Sequence, residues 1–174
     1  MDAPIAFRQQ LLGAIPRLRR YARSLVFDPS AADDLVQTAL ERALAHWHQF
    51  DQRRDILVWT VSIAHNAYMD DRRRHARAPR YDADPEPALA QAHAPTADPG
   101  LRIDLMAALK RLPAEQREPI LLVSVEQLTY AECAEVLRIP VGTVMSRISR
   151  GRVALRALLD GRPSTPPHAL RRVV

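Results

Sequence analysis

Residues 127–153, QLTYAECAEVLRIPVGTVMSRISRGRV, decide how this chain is read. Thr129 stands three residues before Glu132, the T-x-x-E spacing in which a hydroxyl and a carboxylate cap a helix start reciprocally. The apolar positions that follow predict a short helix ending near Leu137, and Pro140 forbids helix through the next turn. Thr143 is expected to open a final helix that runs to about Leu159. In it Val144, Ile148, Leu155 and Leu158 can pack inward, while Met145, Ser146, Ser149, Arg150 and Arg152 project outward. A helix, a tight turn and a helix with a Ser/Arg face form the helix-turn-helix pattern, whose second helix enters a DNA major groove. Arg150 can fork onto guanine and the serines can donate or accept. Arg147 and Arg152 suit phosphates, which fix register without reading sequence. The bland reading is an amphipathic helix with a solvated basic face; the turn and the capped helix before it favour DNA.

Upstream of this motif, Leu101, Leu105, Leu109 and Leu112 form an apolar helical stripe. Pro113 starts another helix, which the internal Pro119 should kink or shorten because it lacks an N–H donor. Further back, Pro79, Pro85, Pro87, Pro95 and Pro99 punctuate PRYDADPEPALAQAHAPTADPG, an acidic Ala/Pro-rich stretch without sustained periodicity. That is the composition of a flexible linker. The chain therefore divides into an N-terminal unit at 1–77, a linker at 78–100, a C-terminal unit at 101–160 and a tail at 161–174. Each unit is small enough to be marginally stable alone.

The N-terminal unit also reads as helical throughout. Leu11, Leu12, Ile15, Leu18, Ala22 and Leu25 mark a first helix, which Asp28-Pro29-Ser30 breaks, with Ser30 a candidate cap for the second. The second runs to about Trp47 with Leu35, Ala39, Leu40, Ala43 and Leu44 apolar. Asp55 is placed to cap a third, whose buried face would comprise Ile56, Trp59, Ile63, Ala67 and Tyr68. No segment shows period-two alternation between hairpin turns, so the fold class is all-α, two small helical domains joined by the linker.

Composition limits what such a fold does. The formal net charge is +5 and the pI about 10.1, a balance that favours polyanionic partners. Lys110 is the only lysine; arginine suits bidentate contacts to phosphate and guanine, although a GC-rich genome would give the same bias. Cys133, the only cysteine, excludes an intrachain disulfide and reads as a small buried residue. No apolar run approaches the roughly 18–20 residues of a membrane span, and MDAPIAFRQQ lacks the regions of a signal peptide. A cytoplasmic location is expected, with no metal and no cofactor.

Two further faces carry chemistry. Arg72, Arg73, Arg74, His75, Arg77 and Arg80 follow Trp59, Ser62, His65, Asn66 and Asp70 on the third helix. Aromatic and amide side chains beside an arginine run can stack on and hydrogen-bond to unpaired bases; equally, the cations can complement a helix dipole. The second helix instead offers Asp33, Asp34, Gln37 and Glu41, an acidic and amide face suited to a basic protein partner or to solvent.

DDLVQTALERAL, the W-x3-IA-x-N-x3-D-x-RR pattern from Trp59 to Arg73, and LTYAECAEVLRIPVGTVMSRISRGR together resemble the extracytoplasmic-function (group IV) sigma factors of bacterial RNA polymerase. The resemblance covers nearly the whole chain, with region 2 at about 8–76 and region 4 at about 101–160. It implies that Asp34, Leu35, Gln37, Thr38 and Glu41 dock on the β′ clamp helices of core polymerase. It implies that Phe50, Asp51, Trp59, Ser62, His65, Asn66, Asp70, Arg73 and Arg74 recognise and melt the −10 element, a flipped base lying near the loop Phe50–Asp55 and Asn66. Thr143, Met145, Ser146, Arg147, Ser149, Arg150 and Arg152 would read the −35 element as duplex. The implied partners are core polymerase, through its clamp helices and β flap, promoter DNA and an anti-sigma factor. The chain departs from the family at Arg138, where the turn usually has glycine, at Met145, where a cation is frequent, and at Pro119. The loop FDQRRD also lacks a frequent glycine.

Two other readings compete. A sigma-like decoy would titrate an anti-sigma factor without initiating transcription, but would not need Asn66, the Arg72–Arg74 run, Arg147 or Arg150. An enzyme could be imagined with His46, His48 and Asp51, or His65 with Asp70 and Asp71, as metal ligands, but His46 and His48, two apart on a helix, point about 200° from each other. No phosphate loop, nucleophile elbow or convergent carboxylate pair supports it, so no catalytic residue is assigned.

Overall fold

The computed structural model describes residues 3–77 and 99–160, with side chains for 3–75 and 104–160; the linker and tail expectations lie largely outside them. Seven α-helices run through the described residues: α1 (Ile5–Val26), α2 (Pro29–Ala45), α3 (Ile56–Arg77), α4 (Pro99–Arg111), α5 (Ala114–Ile120), α6 (Tyr130–Leu137) and α7 (Val141–Leu159). A 3-10 turn, Trp47–Gln49, follows α2, and a π-helical turn, Leu121–Val125, extends α5. No strand occurs among the described residues, so the all-α expectation holds.

The helix boundaries follow local chemistry, with three corrections. Asp28, not Ser30, caps α2: its Oδ1 accepts from Ala31 N at 2.7 Å, and Pro29 supplies the preset φ of a first helical residue. The same helix stops at Ala45, where the chain tightens into the 3-10 turn and does not reach Trp47 as helix. Helix α7 begins at Val141, not Thr143, because the Pro140 carbonyl already accepts from the backbone N–H groups of Thr143 and Val144. The predicted capping box is present, with Thr129 and Glu132 bonded in both directions. Asp55 caps α3 by accepting from Leu57 N at 2.7 Å. Arg138 takes the left-handed conformation at φ 54 that the missing glycine required.

Pro119 has a larger consequence than a kink. Its missing N–H is followed directly by the π turn, in which Glu126 N–H reaches back to the Leu121 carbonyl at 3.0 Å. Gln127, at φ 57, and the Leu128 N–H to Leu122 carbonyl bond close the turn. This widened turn presents Glu126 to α1.

Helices α1–α3 form one bundle and α4–α7 another, but their cores merge. Leu18, Tyr21, Leu25, Leu57 and Val61 belong to the same buried cluster as Leu121, Leu122, Cys133 and Val136. Helix α3 packs on α6, and α1 on the π turn. Accordingly α3 is buried on more than the predicted face. Leu57, Val58, Val61, Ala64 and His65 are buried, whereas Ile56, Trp59, Ile63 and Tyr68 are only half-buried. No helix among the described residues is long and apolar enough to cross a membrane.

Candidate nucleic-acid interface

Helix α7 is positioned from beneath by Val144 and Ile148, 0 and 2% exposed, and by Gly151. A Cβ at Gly151 would stand 2.6 Å from Ile120 Cδ1 and 3.2 Å from Gln116 O, so glycine there sets how closely α7 crosses α5. The opposite side carries Met145, Ser146, Ser149, Arg150 and Arg152, all exposed as the periodicity predicted. Ser146 Oγ donates to the Thr143 carbonyl at 3.0 Å, and Arg150 Nε donates to the Ser146 carbonyl at 3.3 Å. These local bonds orient the side chains along the face. Arg147 is steered aside, its Nη2 3.5 Å from Glu115 Oε2, and Thr143 is half-buried. Cys133 is fully buried, and burial pushes its thiol up to about 12, so it acts as packing.

The residues expected at the −10 element fall in three settings. Phe50 and Trp59 join Phe7 in an aromatic cluster, with ring centroids 5.2 to 6.0 Å apart. Phe50 is buried, so it anchors the loop 50–55 to the bundle. Asp51 accepts from Arg53 N at 3.0 Å and shapes that loop. Ser62 donates to the carbonyl of Val58 at 2.8 Å. Asn66 is half-buried, while Asp70, Arg73 and Arg74 lie exposed beyond it on α3. Arg42 of α2 approaches Asp70, Nη1 to Oδ2 at 3.5 Å.

His65 sits differently, buried under the C-terminal unit with Nδ1 3.5 Å from Glu118 Oε2. Burial first, and the Arg138 charge second, lower its pKa to about 4, so the ring is neutral. Burial also raises the Glu118 pKa, against the opposing pull of Arg117, Arg72 and Arg147. In this closed arrangement two desolvated groups face each other, and C-terminal residues cover this part of α3.

The acidic face of α2 is intact. Asp34, Gln37 and Glu41 are exposed, Leu35 and Thr38 half-buried, and Gln37 Nε2 donates to Glu41 Oε1 at 2.9 Å. Asp33 is taken by Arg19 at 3.0 Å.

Sequence reasoning missed the contacts that close the two units on each other. Three carboxylates of the C-terminal unit each face a basic side chain of the other: Glu126 with Arg17 and Arg20, Glu135 with Arg54, and Glu118 with His65. In return Arg117 lies 4.8 Å over the Phe27 ring, its Nη2 3.4 Å from the Leu25 carbonyl. The one visible hint was Glu126, a lone carboxylate ending the apolar run ILLVSVE.

Comparison with known proteins covers both units. Residues 102–155 match the family model of Sigma-70, region 4, and residues 11–65 that of the Sigma2 domain of PhyR. The ECF RNA polymerase sigma factor EcfG of Rhodopseudomonas palustris is 36% identical over 172 residues, spanning 97% of this chain and 94% of that protein. SigW of Bacillus subtilis, another ECF sigma factor, is 35% identical over 142 residues, 74% of this chain and 75% of its own. Among solved structures, RpoE of Bartonella quintana in complex with the anti-sigma factor NepR gives a TM-score of 0.78 at 30% identity, over 89% of this chain and 97% of RpoE. CnrH, in complex with the cytosolic domain of CnrY, gives 0.66 at 28%, over 91 and 90%. Similarity of this extent, in sequence and in fold across both units, means that the chain belongs to the extracytoplasmic-function sigma factors of RNA polymerase.

Proposed function

We propose that this chain binds core RNA polymerase and directs promoter-specific initiation, with 1–77 serving as region 2 and 101–160 as region 4. The exposed Ser/Arg face of α7, held on a capped helix-turn-helix, carries the reading. Met145, Ser146, Ser149 and Arg150 would meet −35 base edges, and Thr143, Arg147 and Arg152 its backbone. Asn66 with the exposed end of α3 would serve the −10 element, and the Asp34–Glu41 face would dock on the β′ clamp helices. Such a protein works in the cytoplasm with the polymerase and needs no cofactor.

Spanning both elements requires the closed arrangement to open. Elements centred near −35 and −10 lie about 25 base pairs apart, ~85 Å at 3.4 Å per step. A compact body of this size is only ~40 Å across. We infer that an anti-sigma factor acts on the closed form, since RpoE in complex with NepR gives a match that takes in both units. A decoy has no use for the exposed Ser149, Arg150 and Arg152, so initiation is the better reading.

Run-off transcription with purified core polymerase on genomic fragments tests the proposal. Defined start sites that depend on this chain are expected. A chain that binds an anti-sigma factor yet yields no start site is a decoy.

A further inference from the structure

Arg42, Asp70, Arg73 and Arg74 line an open cleft of about 360 Å3 between the end of α2 and the last turns of α3. Nothing in the resemblance gave Arg42 a role; it stands on the helix whose other face is acidic. The Asp70 carboxylate lies between two guanidiniums, with Oδ2 3.5 Å from Arg42 Nη1 and Oδ1 4.0 Å from Arg73 Nη1. Arg74 Nη2 reaches Asp71 Oδ1 at 3.5 Å. These separations are too long for strong hydrogen bonds, so most of the arginine donors remain available to an anion. Three cations against one lining carboxylate leave the cleft positive.

We infer that this cleft is a phosphate clamp for the unpaired −10 strand, with Arg42 joining Arg73 and Arg74 as its third arginine and Asp70 as the positioning residue. The inference rests on the promoter reading above and gives it a backbone site. Asn66, Asp70 and Arg73 fall at i, i+4 and i+7, one stripe of α3. The cleft therefore begins one turn beyond Asn66, ~6–11 Å along the helix, a reach that two or three nucleotides of a strand cover. A strand whose base is held near Asn66 leads its following phosphates into the cleft. Asp70 aims the two guanidiniums from α2 and α3 at one point and touches no base. Because Arg42 shares α2 with Asp34 and Glu41, the clamp also ties strand capture to the helix that docks on polymerase.

The test uses holoenzyme assembled from core polymerase and the full chain, with a forked DNA of mixed sequence whose single-stranded arm is fluorescently labelled. Affinity is measured as a function of salt. Arg42→Ala should make the slope of log K against log salt shallower by ~0.7, the value for one single-strand phosphate contact, and Arg42→Lys should restore most of it. Asp70→Asn is the sharper variant. It raises the net positive charge, so diffuse attraction predicts tighter binding, whereas loss of positioning predicts weaker binding. An unchanged slope for Arg42→Ala with a lowered melting temperature would make the Arg42–Asp70 pair a staple between helices and overturn the clamp. Tighter binding by Asp70→Asn would do the same. Tight binding of inorganic phosphate by the holoenzyme without DNA, lost in Arg42→Ala, would assign the cleft to a free anion instead. Failure of promoter reading shows separately, as an absence of start sites with the unaltered chain.

Discussion

Arg20 grips Glu126 with two prongs, Nε to Oε1 at 2.8 Å and Nη2 to Oε2 at 2.9 Å, across 106 positions of sequence. Arg17 adds its Nη2 to the Glu126 backbone carbonyl and places Nε 3.5 Å from Oε2. The carboxylate is 1% exposed while Arg20 is half in solvent, so the glutamate bears most of the desolvation. That asymmetry makes the pair a latch between the two units. Opening frees a buried charge to water and costs less than a purely apolar interface would.

The latch is testable without DNA. Glu126→Gln keeps the shape and removes the charge, with a loss of ~2 kcal/mol from hydrogen bonds to a charged group. Small-angle scattering should show a larger radius of gyration, and denaturation should occur at lower denaturant. Arg17→Ala with Arg20→Ala should act in the same direction, since it strands the buried carboxylate. Unchanged scattering from both variants would leave the closed form to apolar contacts alone.

Acid should weaken the closed form through His65. Its pKa is lowered to about 4 in the closed chain, against the ordinary 6.5 once exposed. At pH 7 the imidazole is neutral in both states. Below 6.5 the unfolded or opened chain takes up a proton that the closed chain refuses, so stability falls until about pH 4. Between pH 6.5 and 5 the difference is ~2 kcal/mol. Glu118, whose pKa burial raises, contributes in the opposite sense. Denaturation of wild type and His65→Gln at pH 7 and pH 5 therefore isolates the histidine, because Glu118 is common to both. Parallel losses in the two proteins would remove His65 from the account.

Gly151 governs where the recognition helix lies. Gly151→Ala places a methyl against Ile120 and Gln116. Overpacking of this kind costs 1–3 kcal/mol and the gain in helix propensity returns ~1. A net loss of ~1 kcal/mol in chemical denaturation is expected, together with weaker −35 binding as α7 shifts on α5. A stabilised variant with normal binding would show that the crossing tolerates the methyl.

The two proposed DNA surfaces should fail separately. Arg150→Ala should weaken −35-dependent transcription by ~1–3 kcal/mol per lost bidentate contact and relax preference at one or two base pairs. Asn66→Ala should slow open-complex formation, followed by permanganate reactivity of unpaired thymines, and leave duplex −35 binding intact. Equal effects of both on duplex binding would refute the division.

Local chemistry is what the sequence displays, and there it was legible. The Thr129–Glu132 box, the Asp55 cap, the strained Arg138 and the outward Ser/Arg face of α7 each depend on residues a few positions apart. Where neighbours compete, it misled: Asp28 outcompeted Ser30 because Pro29 fixed the first turn, and Pro140 started α7 earlier than Thr143. Phe50 and Trp59, expected at the −10 element, also pack with Phe7 from another helix, which no local pattern announces.

By itself, then, the sequence determined two helical units, a helix-turn-helix with a basic face, and the family, because periodicity, capping and motif spacing are properties of short stretches. Only the tertiary structure decided that the units close on each other, that His65 is covered, and that Arg42 meets Asp70. The closure rests in part on charges brought together over long separations, such as the 106 positions between Arg20 and Glu126, and the cover over His65 on desolvation of a neutral ring. Periodicity carries no signal for them, since a buried carboxylate and a solvated one are spelled with the same letter.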